Sequence, residues 1–182
     1  CVIHNNYVVS DGLKIELEIT KKCYKAGKLS RYNLNCDDRI IYPYDKDGKP
    51  YSETHLKNNF PMAYNYLMNI KSDLLSRDNG KFKKLVNENK INWYEYGRKQ
   101  GLSLQDNKIL ISPIISSKYF LEISDGLFIS GYCIIPNTNK DKTKIVNALK
   151  SSDFMQWIKI YGNPKSGGYY SINKKAIENF RF

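Results

Sequence analysis

The chain has 182 residues, 41% of them hydrophobic and 26% charged, a size and balance that suit one globular domain or one domain with an appended subdomain. A chain this long buries roughly 70% of the surface its unfolded form exposes, which removes the need for a disulfide or metal staple. The formal net charge of +11 favours a polyanionic partner, nucleic acid first and an anionic membrane surface second.

Only five of the 29 cations are Arg: Arg31, Arg39, Arg77, Arg98 and Arg181. The chain is crowded with Asn, Ile and Tyr, so part of the Lys excess reflects general composition. The few Arg are the more informative cations, because Arg forks onto an anion and stacks where Lys does not. Cys1, Cys23, Cys36 and Cys133 are widely spaced, with no Cys-x-x-Cys and no nearby His pair. A zinc site is therefore not expected, and reduced thiols in a cytoplasmic protein are. No signal peptide and no apolar run of spanning length occurs, so no membrane partner is expected. The absence of an initiator Met before Cys1 leads us to expect a fragment of a longer protein.

Residues 2–9 and 13–19 read as strands around Ser10-Asp11-Gly12. In the second, Leu13, Ile15, Leu17 and Ile19 alternate with Lys14, Glu16 and Glu18. Residues 21–35 are polar and basic and read as a loop. Residues 39–44 form another strand, ended by Pro43 and the turn at residues 45–48. Ser52 looks like an N-cap for a short helix to residue 58. Pro61 suits the first turn of the next helix, where Ala63, Tyr66, Leu67, Ile70 and Leu74 share one face. Asp78-Asn79-Gly80 ends it. Residues 81–92 read as either a short helix or irregular chain.

Residues 93–96 read as a strand, and 97–101 as a turn. Residues 108–115, 118–124 and 127–135 then form consecutive strands, with Asp125-Gly126 as a two-residue hairpin turn. Residues 137–142 are a polar loop. Residues 144–150 and 153–161 are helices that bury Ile145, Val146 and Leu149, then Phe154, Trp157, Ile158 and Tyr161, with Ser152 capping between them. Residues 162–168 read as a flexible loop, and a short helix lies near 174–179. The fold class expected is α+β, a single domain over residues 1–182 with mainly antiparallel strands and a few packed helices.

Two stretches carry groups suited to a polyanion. In residues 93–101, three aromatics, Arg98, Lys99 and Gln100 lie close together. Arg or Lys can fork onto guanine and Gln onto adenine, and an aromatic face can stack on an unpaired base at roughly 1–3 kcal/mol. The competing view is a half-buried strand whose aromatics fill a core while Arg98 and Lys99 are solvated. In residues 163–170, Lys165 and Ser166 precede two glycines, Tyr169 and Tyr170. Consecutive glycines bring backbone N–H groups close to a phosphate; the competing view is a plain surface loop.

Catalytic chemistry is not evident. His4 and His55 have no Ser or Cys at triad spacing. Asp37, Asp38, Asp45 and Asp47 are turn-type acids rather than a nuclease cluster, and no phosphate-binding glycine fingerprint occurs. No catalytic residue and no metal ligand is assigned.

The order of Tyr42-Pro43-Tyr44, Asn59-Phe60-Pro61, Tyr66-Leu67, Leu74-Leu75-Ser76-Arg77 and Trp93-Tyr94-x-x-Gly97-Arg98-x-Gln100 resembles the TaqI-like C-terminal specificity domain of bacterial adenine-specific DNA methyltransferases of restriction–modification systems. Residues 108–112, Leu149-Lys150-Ser151 and Gly167-Gly168-Tyr169 extend the likeness, with Lys150 departing from the family's usual Asn. It covers roughly residues 40–182.

The resemblance implies recognition of a short duplex DNA sequence and presentation of one adenine to a covalently linked N-terminal catalytic domain. That domain flips the adenine out, because its amine is unreachable inside the stack, and methylates it from S-adenosylmethionine. The family's Asn-Pro-Pro-aromatic motif is absent, so this chain is expected to need no cofactor and to be inactive alone. On this reading Tyr96, Arg98, Lys99, Gln100, Lys165, Ser166 and Tyr169 are the DNA contacts. Arg98 and Gln100 would reach base edges and the lysines phosphates, while Arg77 reads as a cap for the last helix carbonyls. The alternatives are a module for RNA or single strands, a small nuclease, and a protein-interaction domain.

Overall fold

The computed structural model describes residues 2–10, 12–26, 29, 38–98, 107–115 and 118–182. The chain divides into two compact units, one of Cys1–Lys21 with Asp37–Gln100 and one of Lys22–Cys36 with Gly101–Phe182. Both combine short helices with small, mainly antiparallel sheets, so the fold class is α+β. No helix among the described residues is long and apolar enough to cross a membrane.

In the first unit, β1 (Val2–His4), β2 (Tyr7–Ser10) and β3 (Leu13–Glu16) form an antiparallel meander in which Ile3, Val8 and Ile15 lie across from one another. The strand expected over residues 2–9 is a hairpin. Asn5 adopts φ 52°, a left-handed turn position that Asn tolerates, and the chain reverses there. β3 ends at Glu16, whose carboxylate turns to the helix that begins at Pro61. Oε1 accepts from the Met62 N–H at 2.8 Å and Oε2 from the Ala63 N–H at 2.9 Å. Proline at the first helical position has no N–H, so this one carboxylate takes the next two donors of the helix end.

Ser52 caps α1 (Glu53–Asn59), its hydroxyl accepting from the His55 N–H at 3.1 Å. The long helix expected from Pro61 is two, α2 (Pro61–Asn69) and α3 (Lys71–Ser76), broken at Ile70. Asp78, Asn79 and Gly80 all take positive φ and stop the helix as expected. A short helix, α4 (Lys81–Asn87), follows. Leu56, Phe60, Ala63 and Leu67 pack with Ile15, Ile19, Trp93 and Tyr94 into the core of this unit. The region expected as a strand over residues 39–44 contributes β5 (Arg39–Ile41), then the buried Tyr42 and Tyr44.

The residues expected as a loop from 21 begin instead inside a strand, β4 (Thr20–Lys25). Its second-unit portion pairs in parallel with β9 (Leu127–Ile129), Cys23 opposite Leu127. The centre of the second unit is β6 (Lys108–Ile111), flanked antiparallel by β8 (Phe120–Ile123) and β10 (Tyr132–Ile134). Ile109 and Ile111 pack against α5 (Asn139–Leu149), α6 (Ser152–Tyr161) and α7 (Lys174–Glu178) through Val146, Leu149, Phe154, Ile158 and Ile177. Leu110, on the opposite face, packs with Tyr24, Leu29 and Ile123.

Several expected boundaries move for local reasons. The strand over residues 108–115 breaks at Pro113 into β6 and β7 (Ile114–Ile115). The strand over 127–135 breaks at Ser130 and Gly131, both at positive φ; a Cβ on Gly131 would collide with that of Ala26. Asp125-Gly126 is not a hairpin turn, because β8 pairs with β6 and β9 with β4. The polar loop over 137–142 is mostly the first turn of α5, capped by Thr138. Ser151, not Ser152, caps α6, accepting from the Phe154 N–H at 3.1 Å.

Candidate nucleic-acid interface

Residues 93–98 form a turn, in place of the strand expected over 93–96. Its aromatics are committed inward. The Tyr94 hydroxyl donates to the Tyr51 carbonyl at 2.6 Å, and the Tyr96 hydroxyl to the Ile41 carbonyl at 2.7 Å. The Tyr96 N–H donates to the Tyr44 hydroxyl at 2.7 Å, and the two rings stack with centroids 6.3 Å apart. Burial pushes the Tyr44 and Tyr94 phenols up to about 12, so both stay protonated through the neutral range.

Arg77 holds this turn to the end of α3. Its guanidinium donates to the carbonyls of Leu74 at 2.6 Å, Glu95 at 3.0 Å and Trp93 at 3.4 Å, and lies 3.8 Å over the Phe82 ring. The expected cap of the last carbonyls is therefore part of a wider clamp. The Glu95 side chain turns back to the Asn92 N–H at 2.7 Å. Lys71 sits 4.5 Å over the buried Trp93 ring.

Of the residues expected here to touch DNA, Tyr96 is half-buried and serves as an internal tie. Arg98 is exposed, and no hydrogen bond or ion pair holds it among the described residues. Lys99 and Gln100 lie outside the described residues.

Residues 163–171 are built the opposite way. β11 (Asn163–Lys165) and β12 (Tyr169–Ser171) pair antiparallel, and β12 pairs on its other side with β7, so the expected flexible loop is a hairpin on a three-stranded sheet. Its base is fixed: Tyr170 packs on the core, Ile172 is buried, and the Ile172 N–H donates to the Pro113 carbonyl at 2.9 Å. Its tip is one tight turn over Ser166–Gly168, with Gly167 at φ 79° and Gly168 at φ 76°. The Tyr169 ring lies against Gly167, where an added Cβ would stand 3.1 Å from Cε2.

The tip brings Lys165, Ser166 and Tyr169 together, all exposed, with Lys165 directly across the ladder from Tyr169. That combination can do three things at once. The ammonium can meet a phosphate, the hydroxyl and turn amides can donate to oxygen anions, and the phenol ring can stack or lie along a groove wall.

Two exposed residues stand just before the hairpin, one of which the sequence pattern placed in the core. Tyr161, expected in the core, is 54% exposed, and its ring lies on Trp157 with centroids 3.9 Å apart. Ile160 is 73% exposed. The four-residue spacing of Trp157 and Tyr161 is the signal that could have marked the pair.

The other titratable groups have structural surroundings. The His55 ring stacks on Tyr51 and meets the Asn59 side-chain amide at 3.3 Å. Burial pushes the Cys133 thiol up. Among the described residues no group of three or more His, Cys, Asp or Glu side chains is placed to hold a metal ion. Comparison of the chain with protein-family models and with curated proteins finds no match.

Proposed function

We propose that this chain is the duplex-DNA recognition module of a restriction–modification adenine methyltransferase, of the TaqI-like specificity type. It would work in the cytoplasm beside a covalently linked catalytic domain that binds S-adenosylmethionine. The observation that carries this reading is the hairpin tip. Lys165, Ser166 and Tyr169 are presented together on a turn of two left-handed glycines, at the end of a ladder anchored in the core. Rigid presentation is what register on a duplex demands, because a contact held by a mobile loop loses entropy on binding. The net charge of +11 supplies the sequence-independent attraction. Arg98 is the described residue of the other stretch best exposed for a base edge.

The exposed Tyr161 and Tyr169 favour a second reading, a module for single strands or RNA, where aromatic faces receive unpaired bases. One titration separates the two. The protein is equilibrated with a pool of random duplex DNA at several salt concentrations, and the retained fraction is sequenced. An affinity that falls steeply with salt, with an enriched short motif containing adenine, supports the specificity domain. Stronger retention of RNA competitor than of duplex supports the second reading. No retention at low salt would reject both and favour a protein partner.

A further inference from the structure

The hairpin that carries Lys165 and Tyr169 belongs to a three-stranded sheet, β11–β12–β7, and the register of that sheet sorts its side chains onto two faces. Residues directly opposite one another in an antiparallel ladder point to the same side, and successive residues of a strand to opposite sides. Pro164, Tyr170 and Ile115 lie opposite one another, and Tyr170 and the buried Ile115 pack in the core of the second unit, so this row faces inward. The rows on either side of it face outward. One is Lys165 with Tyr169, at the tip. The other is Asn163, Ser171 and Ile114, in line across all three strands.

The packing of the unit does not account for this second outward row. Ile114 is 49% exposed, whereas its neighbour Ile115 is 2% exposed. Asn163 is exposed, and its side-chain amide makes no hydrogen bond among the described residues. Ser171, between them, is small, and its hydroxyl turns to the Asn163 carbonyl at 3.5 Å. The row therefore holds a branched apolar side chain at one end, an uncommitted amide at the other and a low saddle between. Its ends are two inter-strand spacings apart, roughly 10 Å. That span fits the major groove of duplex DNA, which is roughly 12 Å wide. Among the described residues the two outward rows carry one charged side chain, Lys165, and its sign suits a polyanion.

We propose that this row reads one A·T base pair in the major groove, Asn163 pairing with N6 and N7 of the adenine while Ile114 packs on the C5 methyl of the thymine. The inference rests on the duplex-DNA reading and adds to it two residues that determine specificity. An A·T pair presents the adenine N7 acceptor and N6 amino donor on one side of its major-groove edge and the thymine methyl on the other. The row sets an amide and an apolar side chain at its two ends in the same way. A side-chain amide can take both adenine groups at once, and a G·C pair offers neither that donor–acceptor pattern nor a methyl. The ladder fixes the separation of the two ends, so both contacts fall on one pair.

The test starts from the short duplex that the full chain enriches from a random pool. Each thymine of that duplex is replaced in turn by uracil, which lacks only the C5 methyl, and each adenine by 7-deazaadenine, which lacks only the N7 acceptor. At one A·T pair, uracil should weaken binding about fourfold, as expected for one buried methyl group, and 7-deazaadenine about tenfold. Ile114→Ala should bind the thymine and uracil duplexes alike, and Asn163→Ala the adenine and 7-deazaadenine duplexes alike, with melting temperatures unchanged. The base replacements leave the protein intact, so the wild-type result does not depend on how either variant folds. A motif with no pair sensitive to both replacements would overturn the inference and leave duplex recognition standing. Sensitivities that persist in the folded variants would do the same. No enriched duplex motif, or stronger retention of single strands, would remove the inference together with the duplex reading.

Discussion

Residues 93–98 and residues 163–171 draw on the same materials, aromatic rings, a glycine and a cation, and the fold turns the first inward and the second outward. The difference lies in where each backbone is satisfied. In the first, carbonyls of Trp93 and Glu95 are taken by Arg77, and the phenols of Tyr94 and Tyr96 are tied to Tyr51 and Ile41. In the second, a strand ladder satisfies the backbone, which leaves the side chains at the tip uncommitted. An aromatic-rich stretch therefore exposes its chemistry when main-chain pairing holds it, and conceals it when side chains must do the holding.

This contrast can be broken by mutation. Arg77→Ala removes three donated bonds and the stack on Phe82, and should destabilise the protein by about 3 kcal/mol in urea denaturation. A loss under about 0.5 kcal/mol would mean the turn at 93–98 needs no clamp. At the hairpin the expected effect is on affinity alone. Tyr169→Ala should cost roughly 1–3 kcal/mol of nucleic-acid binding, with the melting temperature unchanged. Lys165→Ala should lower the slope of log affinity against log salt by about 1. Loss of folding in either would show the tip to be structural.

Glu16→Gln keeps the size of the α2 cap but removes its charge and sets an amide donor against one of the two N–H groups, so about 2 kcal/mol of stability should be lost by the same denaturation measurement. Tyr94→Phe should cost about 1 kcal/mol and leave nucleic-acid affinity alone. Tyr44 and Tyr94 add a pH signature. Their folded values near 12 lie above the usual 10, so the folded state holds protons that the unfolded chain releases. The stabilisation is complete below pH 10 and is lost as pH rises towards 12. Urea midpoints measured from pH 8 to 11 should fall only at the alkaline end, and Tyr94→Phe should reduce that fall.

Elements set by local chemistry were legible in the chain. Ser52 caps its helix, Asp78-Asn79-Gly80 stops one, and the amphipathic faces of α2 and α6 bury Leu67, Phe154 and Ile158. What stayed hidden depended on distant partners. Asp125-Gly126 has the composition of a hairpin turn, but the strands on either side pair with β6 and β4, a choice no local signal records. Residues 163–165 contain a proline and two polar side chains, yet β12 pairs with them, and β7 in turn with β12. In the candidate interface, the grouping of Lys165, Ser166 and Tyr169 could be read from proximity in sequence, whereas the inward commitment of Tyr96 required knowledge of Ile41 and Tyr44.

β6 carries a consequence for alignment of the sheet. Its side chains are apolar on both faces, so hydrophobicity alone scarcely penalises a slip by one residue, which would exchange Ile109 and Leu110 between the two clusters. Lys108 breaks that degeneracy. It is almost wholly buried, and its ammonium reaches the Gly126 carbonyl at 2.8 Å. A shifted strand would strand that charge in an apolar site without its oxygen, at a cost of several kcal/mol. One buried lysine at the head of the strand thus acts as an indexing pin for the sheet.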